Sequence, residues 1–219
     1  GYVHEGRASI LSGLDAIPAI AEELIVSRDI AVAKYADAAA HLTHISSAGS
    51  INIIQHAKKS YKKITCDTCC HYFSLTDEAT LGFDTNTKVN PPLRGKEDME
   101  AIKEGLRNNT IDIIATDHAP HEASSKDVEF DIATFGISGI ETAFALSLAL
   151  VHDGVITLPE LLRKFTVNPA KLLKLPYGQI APGKLADLII FNTDREWKVD
   201  RSSFLSKGKN SPFHGWTVK

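Results

Sequence analysis

Apolar residues recur at helical spacing from about Ile17 to Asp37, with Ile20, Leu24, Ile30, Ala33 and Ala36 on one stripe and Pro18 suited to a first turn. A short apolar segment, Ala40 to Ile45, then reads as a strand. Ser46 or Ser47 can cap a helix through Ile51, Ile54 and Ala57 to Lys59. Ile64 to Thr68 reads as a second strand, Lys96 to Asn108 as a helix and Ile111 to Thr116 as a third strand. A long loop follows to about Ser138. Helices are then expected from Ile140 to about Val151, from Thr157 to about Phe165, and briefly over Pro169 to Leu173.

Strands alternating with helices through short connections predict parallel βα units, in a doubly wound sheet or an arc of a barrel. The texture changes near Leu175 to Gly178, where Gly and Pro begin to punctuate and Ala186 to Phe191 and Trp197 to Val199 read as strands. Two regions are therefore expected, residues 1–176 and a small β-rich part over 177–219. Gly1 to Gly6 reads as the middle of a loop and Ser211 to Lys219 as ending in a strand, so the chain reads as a fragment.

The chain has 219 residues, 43% hydrophobic and 23% charged, enough for one sizeable core. A net charge of −3 supplies no basic field for nucleic acid or anionic lipid. No apolar run approaches the roughly 20 residues that span a bilayer, and no leader pattern opens the chain. Its 3 cysteines, Cys66, Cys69 and Cys70, crowd into one segment and do not form a disulfide framework. A reducing cytoplasm is the expected compartment.

The richest stretch chemically is Ile113 to His121, where an apolar strand runs into Thr116-Asp117-His118-Ala119-Pro120-His121. A parallel strand that ends in ionisable groups carries them to the sheet rim, where they can bind a metal or move a proton. His44 lies near the end of another predicted strand, and His41 on a flat strand would face the other way. His44 with Asp117 is not a full zinc donor set, which usually has three or four protein ligands. Cys66 and Cys69 of the Cys-x-x-Cys pattern would point to opposite faces of a strand, so both are read as small buried thiols. Asn90-Pro91-Pro92-Leu93-Arg94 presents an amide and a guanidinium, for substrate or simply to end a strand, with Arg94 able to cap a helix or pair with Glu97. Phe135-Gly136-Ile137-Ser138-Gly139 enters a helix with free N–H groups. His4, His56, His152 and His214 are read as surface residues.

These pieces together resemble the bacterial type I dihydroorotases of the cyclic amidohydrolase superfamily. The shared motifs are His44-Ile45-Ser46, Asn90 to Arg94, Ala115 to His121, Phe135 to Phe144, Asn168 to Lys171, Gly183 to Leu188 and Ser211 to Trp216. The resemblance implies an α/β fold, the last three strands of a (β/α)8 TIM-type barrel plus part of a small β-sandwich. It implies zinc in a mononuclear or binuclear site, with His44 and Asp117 as metal ligands and Asp117 as catalytic acid/base. Asn90, His121 and the backbone at Phe135 and Gly136 would bind substrate. The implied reaction is the reversible cyclisation of N-carbamoyl-L-aspartate to L-dihydroorotate in pyrimidine biosynthesis.

One departure is local: the family usually has a Pro-His-His run in the region of Cys69-Cys70-His71. The other is larger. The family's His-x-His pair, bridging carboxylate and strand-five histidine would all precede Gly1, so this chain alone is expected to be inactive. A fragment of a barrel also exposes strand edges, so a homodimer or pairing with the missing half is expected, and aspartate carbamoyltransferase is a candidate further partner. The rival readings are a dihydropyrimidinase- or allantoinase-type enzyme, and a non-catalytic dihydroorotase-like subunit that scaffolds aspartate carbamoyltransferase.

Overall fold

A computed structural model describes residues 1–219. It opens on two short parallel strands, β1 (Val3–His4) and β2 (Ala16–Ile17), joined through α1 (Arg7–Ser12). Helix α2 (Ala19–Tyr35) leads to a three-stranded parallel sheet of β3 (Ala40–Leu42), β4 (Ile64–Cys69) and β5 (Ile113–Ala115), in the order β3-β4-β5. The crossovers carry α3 (Ala48–Ser60), then α4 (Cys70–Ser74) and α5 (Lys96–Arg107). After β5 come α6 (Ala143–His152), α7 (Leu158–Phe165) and α8 (Val167–Leu172). The chain closes with an antiparallel pair, β6 (Trp197–Lys198) and β7 (Thr217–Val218).

Register fixes which residues meet at the sheet rim. Leu42 pairs with Cys66, and Cys69 pairs with Ala115, so β4 is the shared neighbour of both outer strands. β4 is covered on both faces: Ile64, Cys66, Asp67, Thr68 and Cys69 are all buried, as expected for a parallel strand between helices. Helix α3 starts where Ser47 accepts a hydrogen bond from the Ser50 N–H at 3.2 Å, an N-cap. It buries Ile51, Ile54 and Ala57. Val199, Phe204 and Phe213, from late in the chain, join the same apolar cluster as these helix and strand residues. No helix is long and apolar enough to cross a membrane.

Several expected elements shift for identifiable reasons. The core stripe of α2 is Val26, Ile30 and Ala33, whereas Ile20 and Leu24 are exposed. The long apolar helix starts at Ala143, not Ile140. Strand β3 stops at Leu42 because His44 adopts a left-handed backbone, φ 59°, which no strand contains. Ala186 to Phe191 forms no strand. A strand needs an edge to pair with, and no segment of the chain supplies one there. The two-residue strands β1 and β2 carry too little pattern to be read from sequence.

Candidate active site at the strand ends

Beyond the last residue of β3 comes Thr43 and then His44; beyond β5 comes Thr116 and then Asp117. Both His44 and Asp117 have positive φ, 59° and 43°. Non-glycine residues rarely adopt this region, and strained backbone of this kind collects at functional sites. The two turns aim the side chains at each other: His44 Nε2 lies 3.8 Å from Asp117 Oδ1, with both side chains partly solvent-accessible.

Strand β4 holds the first turn in place. Asp67 Oδ1 accepts the His44 N–H at 2.7 Å, the Asp67 carbonyl accepts the Ile45 N–H at 3.0 Å, and Thr68 Oγ1 donates to the Ile45 carbonyl at 2.8 Å. Asp67 Oδ2 lies 3.0 Å from His41 Nε2, whose Nδ1 meets Thr65 Oγ1 at 2.7 Å. Strand alternation placed His41 away from His44, yet both line one cavity of about 510 Å³. The left-handed turn after Leu42 breaks the alternation.

The floor beside Asp117 is unexpected. Cys69 Sγ, a ring nitrogen of His71 and a carboxylate oxygen of Asp117 all lie within 4.8 Å of one another. His71 is fully buried, and neither of its ring nitrogens has a hydrogen-bond partner. Burial, and secondarily the nearby His44, push its pKa down to about 3, so it is neutral at ordinary pH. Burial drives the Cys69 thiol well above its usual range. Cys66 and Cys70 are raised to about 12, also by burial. All three thiols are free and buried. Cys66 faces away, donating to the Thr110 carbonyl at 3.2 Å.

The remaining predicted residues separate. Asn90 is exposed and lines the same cavity as His44, with Pro91, Pro92 and Arg94. His121 instead borders a second cavity of about 570 Å³ with Lys126, Lys207, Lys209 and Asn210. Its Nε2 lies 2.8 Å from the Phe135 carbonyl, so in this state the ring is occupied by the loop that was expected to contact substrate. Gly136 has φ 134°, and a Cβ there would meet Ala119 Cβ at 2.6 Å and His121 Nε2 at 3.0 Å. Only glycine allows the two loops to touch.

Arg94 has a different role from either expected one. Its buried guanidinium donates from Nε to Ser46 Oγ at 3.1 Å and from Nη1 to the Ile17 carbonyl at 3.0 Å and His4 Nδ1 at 3.2 Å, and Nη2 sits 3.6 Å from Glu22. It ties β2, α2 and the start of α3 together. His4 is accordingly half-buried, with its pKa lowered by burial first and by Arg94 second. Asn210 escaped sequence reasoning. Its Oδ1 accepts the His121 N–H at 2.9 Å, and its Nδ2 donates to the carbonyls of Ala119 at 2.9 Å and Gly136 at 3.0 Å. A single amide in a Gly- and Lys-rich segment gives no sign of this latch.

The donor set suits a borderline-soft divalent ion. Imidazole, carboxylate and thiol are zinc's usual protein ligands, and an orphaned buried imidazole is the kind of group a metal would satisfy.

The model of the amidohydrolase family matches residues 10–218. A dihydroorotase of Syntrophus aciditrophicus is 52% identical over 219 residues, which is 100% of this chain and 51% of that protein. A dihydroorotase of Geobacter metallireducens is 49% identical, covering 100% of this chain and 52% of its own length. The chain thus spans about half the length of the curated relatives it matches. Among solved structures, the L-hydantoinase (dihydropyrimidinase) of Arthrobacter aurescens superposes with a TM-score of 0.85 at 29% identity, over 90% of this chain and 45% of that one. The chain belongs to the amidohydrolase family.

Proposed function

We propose that this chain carries the His44–Asp117 side of a dihydroorotase active site, which interconverts N-carbamoyl-L-aspartate and L-dihydroorotate. The observation that carries the reading is the meeting of His44 and Asp117 at 3.8 Å, at the ends of two parallel strands. The similarity to dihydroorotases over the whole chain supports it. In this reading β3, β4 and β5 are the sixth, seventh and eighth strands of a TIM-type barrel, and residues 177–219 belong to a small sandwich.

His44 and Asp117 would hold zinc together with ligands from the half of the relatives' length that this chain does not span. When bound there, zinc would supply Lewis-acid chemistry, lowering the pKa of water from about 15.7 towards 7. Asp117 is the proton carrier. In the hydrolytic direction its carboxylate takes a proton from the attacking water and delivers it to the departing ring nitrogen, and the cyclisation runs this in reverse. Its partial exposure, 3.8 Å from His44, suits that relay. Asn90, at the cavity mouth, orients the ring. His121 becomes available to the substrate carboxylate when it leaves the Phe135 carbonyl.

The test is a substrate panel of dihydroorotate, dihydrouracil and allantoin on the complete protein. Metal-dependent turnover of dihydroorotate well above the other two is expected. Preference for dihydrouracil would move the assignment to the dihydropyrimidinases, and no turnover would favour a scaffolding subunit. The 219-residue chain alone is expected to lack turnover, and activity from it would overturn the split-site reading.

A further inference from the structure

We propose that Lys88 and Lys126 are positioning residues for substrate binding. Their buried ammonium groups hold the main-chain carbonyls of residues 131–134 and so fix where the Phe135–Gly136 backbone stands. The proposal rests on the reading above, with that backbone as a substrate contact.

The loop has no regular structure of its own. Residues 131–136 lie in neither helix nor strand, so their carbonyls must find donors elsewhere. Four consecutive carbonyls are each met by a side chain from another segment. Lys88 Nζ donates to the Ala133 carbonyl at 2.6 Å, and also to that of Asp131 at 2.9 Å. Lys126 Nζ donates to the Thr134 carbonyl at 2.7 Å. The Phe135 carbonyl faces His121 Nε2 at 2.8 Å, and the Gly136 carbonyl accepts from Asn210 Nδ2 at 3.0 Å. Lys88 has a second hold. Its own carbonyl accepts the Gly136 N–H at 2.8 Å, and its Nζ lies 4.5 Å from the Phe135 ring centroid and 4.7 Å from that of Tyr2, within cation–π range. Lys88 stands just before Val89 and Asn90, so it couples the Asn90 turn to the Phe135 loop.

Charge sets these lysines apart from ordinary packing. Lys88 is 1% exposed and Lys126 7%, yet neither ammonium pairs with a carboxylate. Burying an unpaired charge is costly. Burial accordingly lowers both pKa values, Lys126 to about 8, with the charge of Lys88 as its second cause. A methionine would fill either site without that cost, but would leave the carbonyls of residues 131, 133 and 134 unmet. In the reading above His121 leaves the Phe135 carbonyl for the substrate, so the lysines and Asn210 keep the loop in place during binding.

Steady-state kinetics of the complete, zinc-loaded protein with dihydroorotate test this. Lys88→Met is expected to raise KM at least about tenfold and Lys126→Met about threefold, with kcat within about threefold, the signature of binding lost equally from ground and transition states. Zinc content should not change. Lys164→Met is the control, because Lys164 is just as buried and also holds a carbonyl, that of Ile111, at 2.6 Å. It should lower the urea midpoint and leave KM alone. Unchanged KM in both Lys88→Met and Lys126→Met overturns the proposal, and so does an equal rise in Lys164→Met. If Lys88→Met alone fails to fold, Lys126→Met decides; failure of both assigns the lysines to the fold and overturns it. Wild-type turnover of dihydroorotate with KM unmoved in the variants sinks the lysines and leaves the function standing. A wild type that prefers dihydrouracil changes the substrate assignment instead, and the same KM comparison with dihydrouracil then decides the loop.

Discussion

The two ends of the β3-β4-β5 sheet are built on opposite rules. At the end where β5 begins, the polar groups find partners. Lys58 Nζ donates to the Thr110 carbonyl at 2.8 Å and to Asp112 Oδ2 at 2.5 Å, and the same oxygen accepts the Cys66 N–H at 2.8 Å. Lys164 Nζ donates to the Ile111 carbonyl at 2.6 Å and to Asn109 Oδ1 at 3.2 Å, and Asn168 Nδ2 donates to the Asp112 carbonyl at 2.7 Å. At the other end His44 and Asp117 hold left-handed backbones and His71 has no partner. One end is satisfied and spends its side chains on stability. Left-handed backbone occurs at both ends, at Asn109 as at His44 and Asp117, so the second end is set apart by its unmet bonding capacity, and in a parallel α/β sheet that is the end where ligands bind.

The largest expected effect breaks function at the His44–Asp117 end alone. Asp117→Asn in the complete protein should lower dihydroorotate turnover at least about 10²-fold, the scale of a lost acid/base, with the circular dichroism spectrum unchanged. Wild-type turnover in that variant would remove Asp117 from the chemistry.

Asp112→Ala attacks the satisfied end. It strands the Cys66 N–H and leaves Lys58 without its carboxylate. A loss of about 2–3 kcal/mol is expected in urea denaturation, with metal uptake unaffected. An unchanged midpoint would mean this network is decorative.

Cys66 gives that end a pH signature. Burial pushes its folded pKa up to about 12, from an ordinary value near 9.0. Its contribution is therefore intact below pH 9 and is lost as pH rises from about 9 towards 12, because the unfolded chain releases the proton first. The slope from this thiol approaches about 1.4 kcal/mol per pH unit. Urea midpoints measured from pH 8 to 10 should fall less steeply in Cys66→Ala, and equal slopes would refute the assignment.

The smallest effect sharpens the contrast. His44→Gly should raise the stability of the metal-free protein by about 1 kcal/mol, by releasing the left-handed strain, while lowering metal retention. Calorimetry of both metal-free proteins checks this, and destabilisation would mean His44 serves the fold.

How much of this can be read from the sequence depends on how far apart the cooperating residues lie. His44 and Asp117 are legible because each follows an apolar run that a strand explains, and parallel strands bring their ends together. The backbone turns that aim them are not legible, since strand alternation says nothing beyond the last paired residue. For that reason His41 was expected on the other face from His44, although both line one cavity, whereas Cys69 is the buried free thiol that its spacing suggested. Arg94 and Asn210 find their partners across distant loops, where local pattern carries no signal. Ala186 to Phe191 has the composition of a strand, but composition cannot supply a neighbouring edge.

Anomalous diffraction at the zinc edge, on crystals of the zinc-loaded complete protein, tests the central claim most directly. The account predicts a peak about 2.0–2.2 Å from the Asp117 carboxylate and from a ring nitrogen of His44. A peak at the Lys58–Asp112 end, or an Asp117 carboxylate that touches no metal, would contradict it.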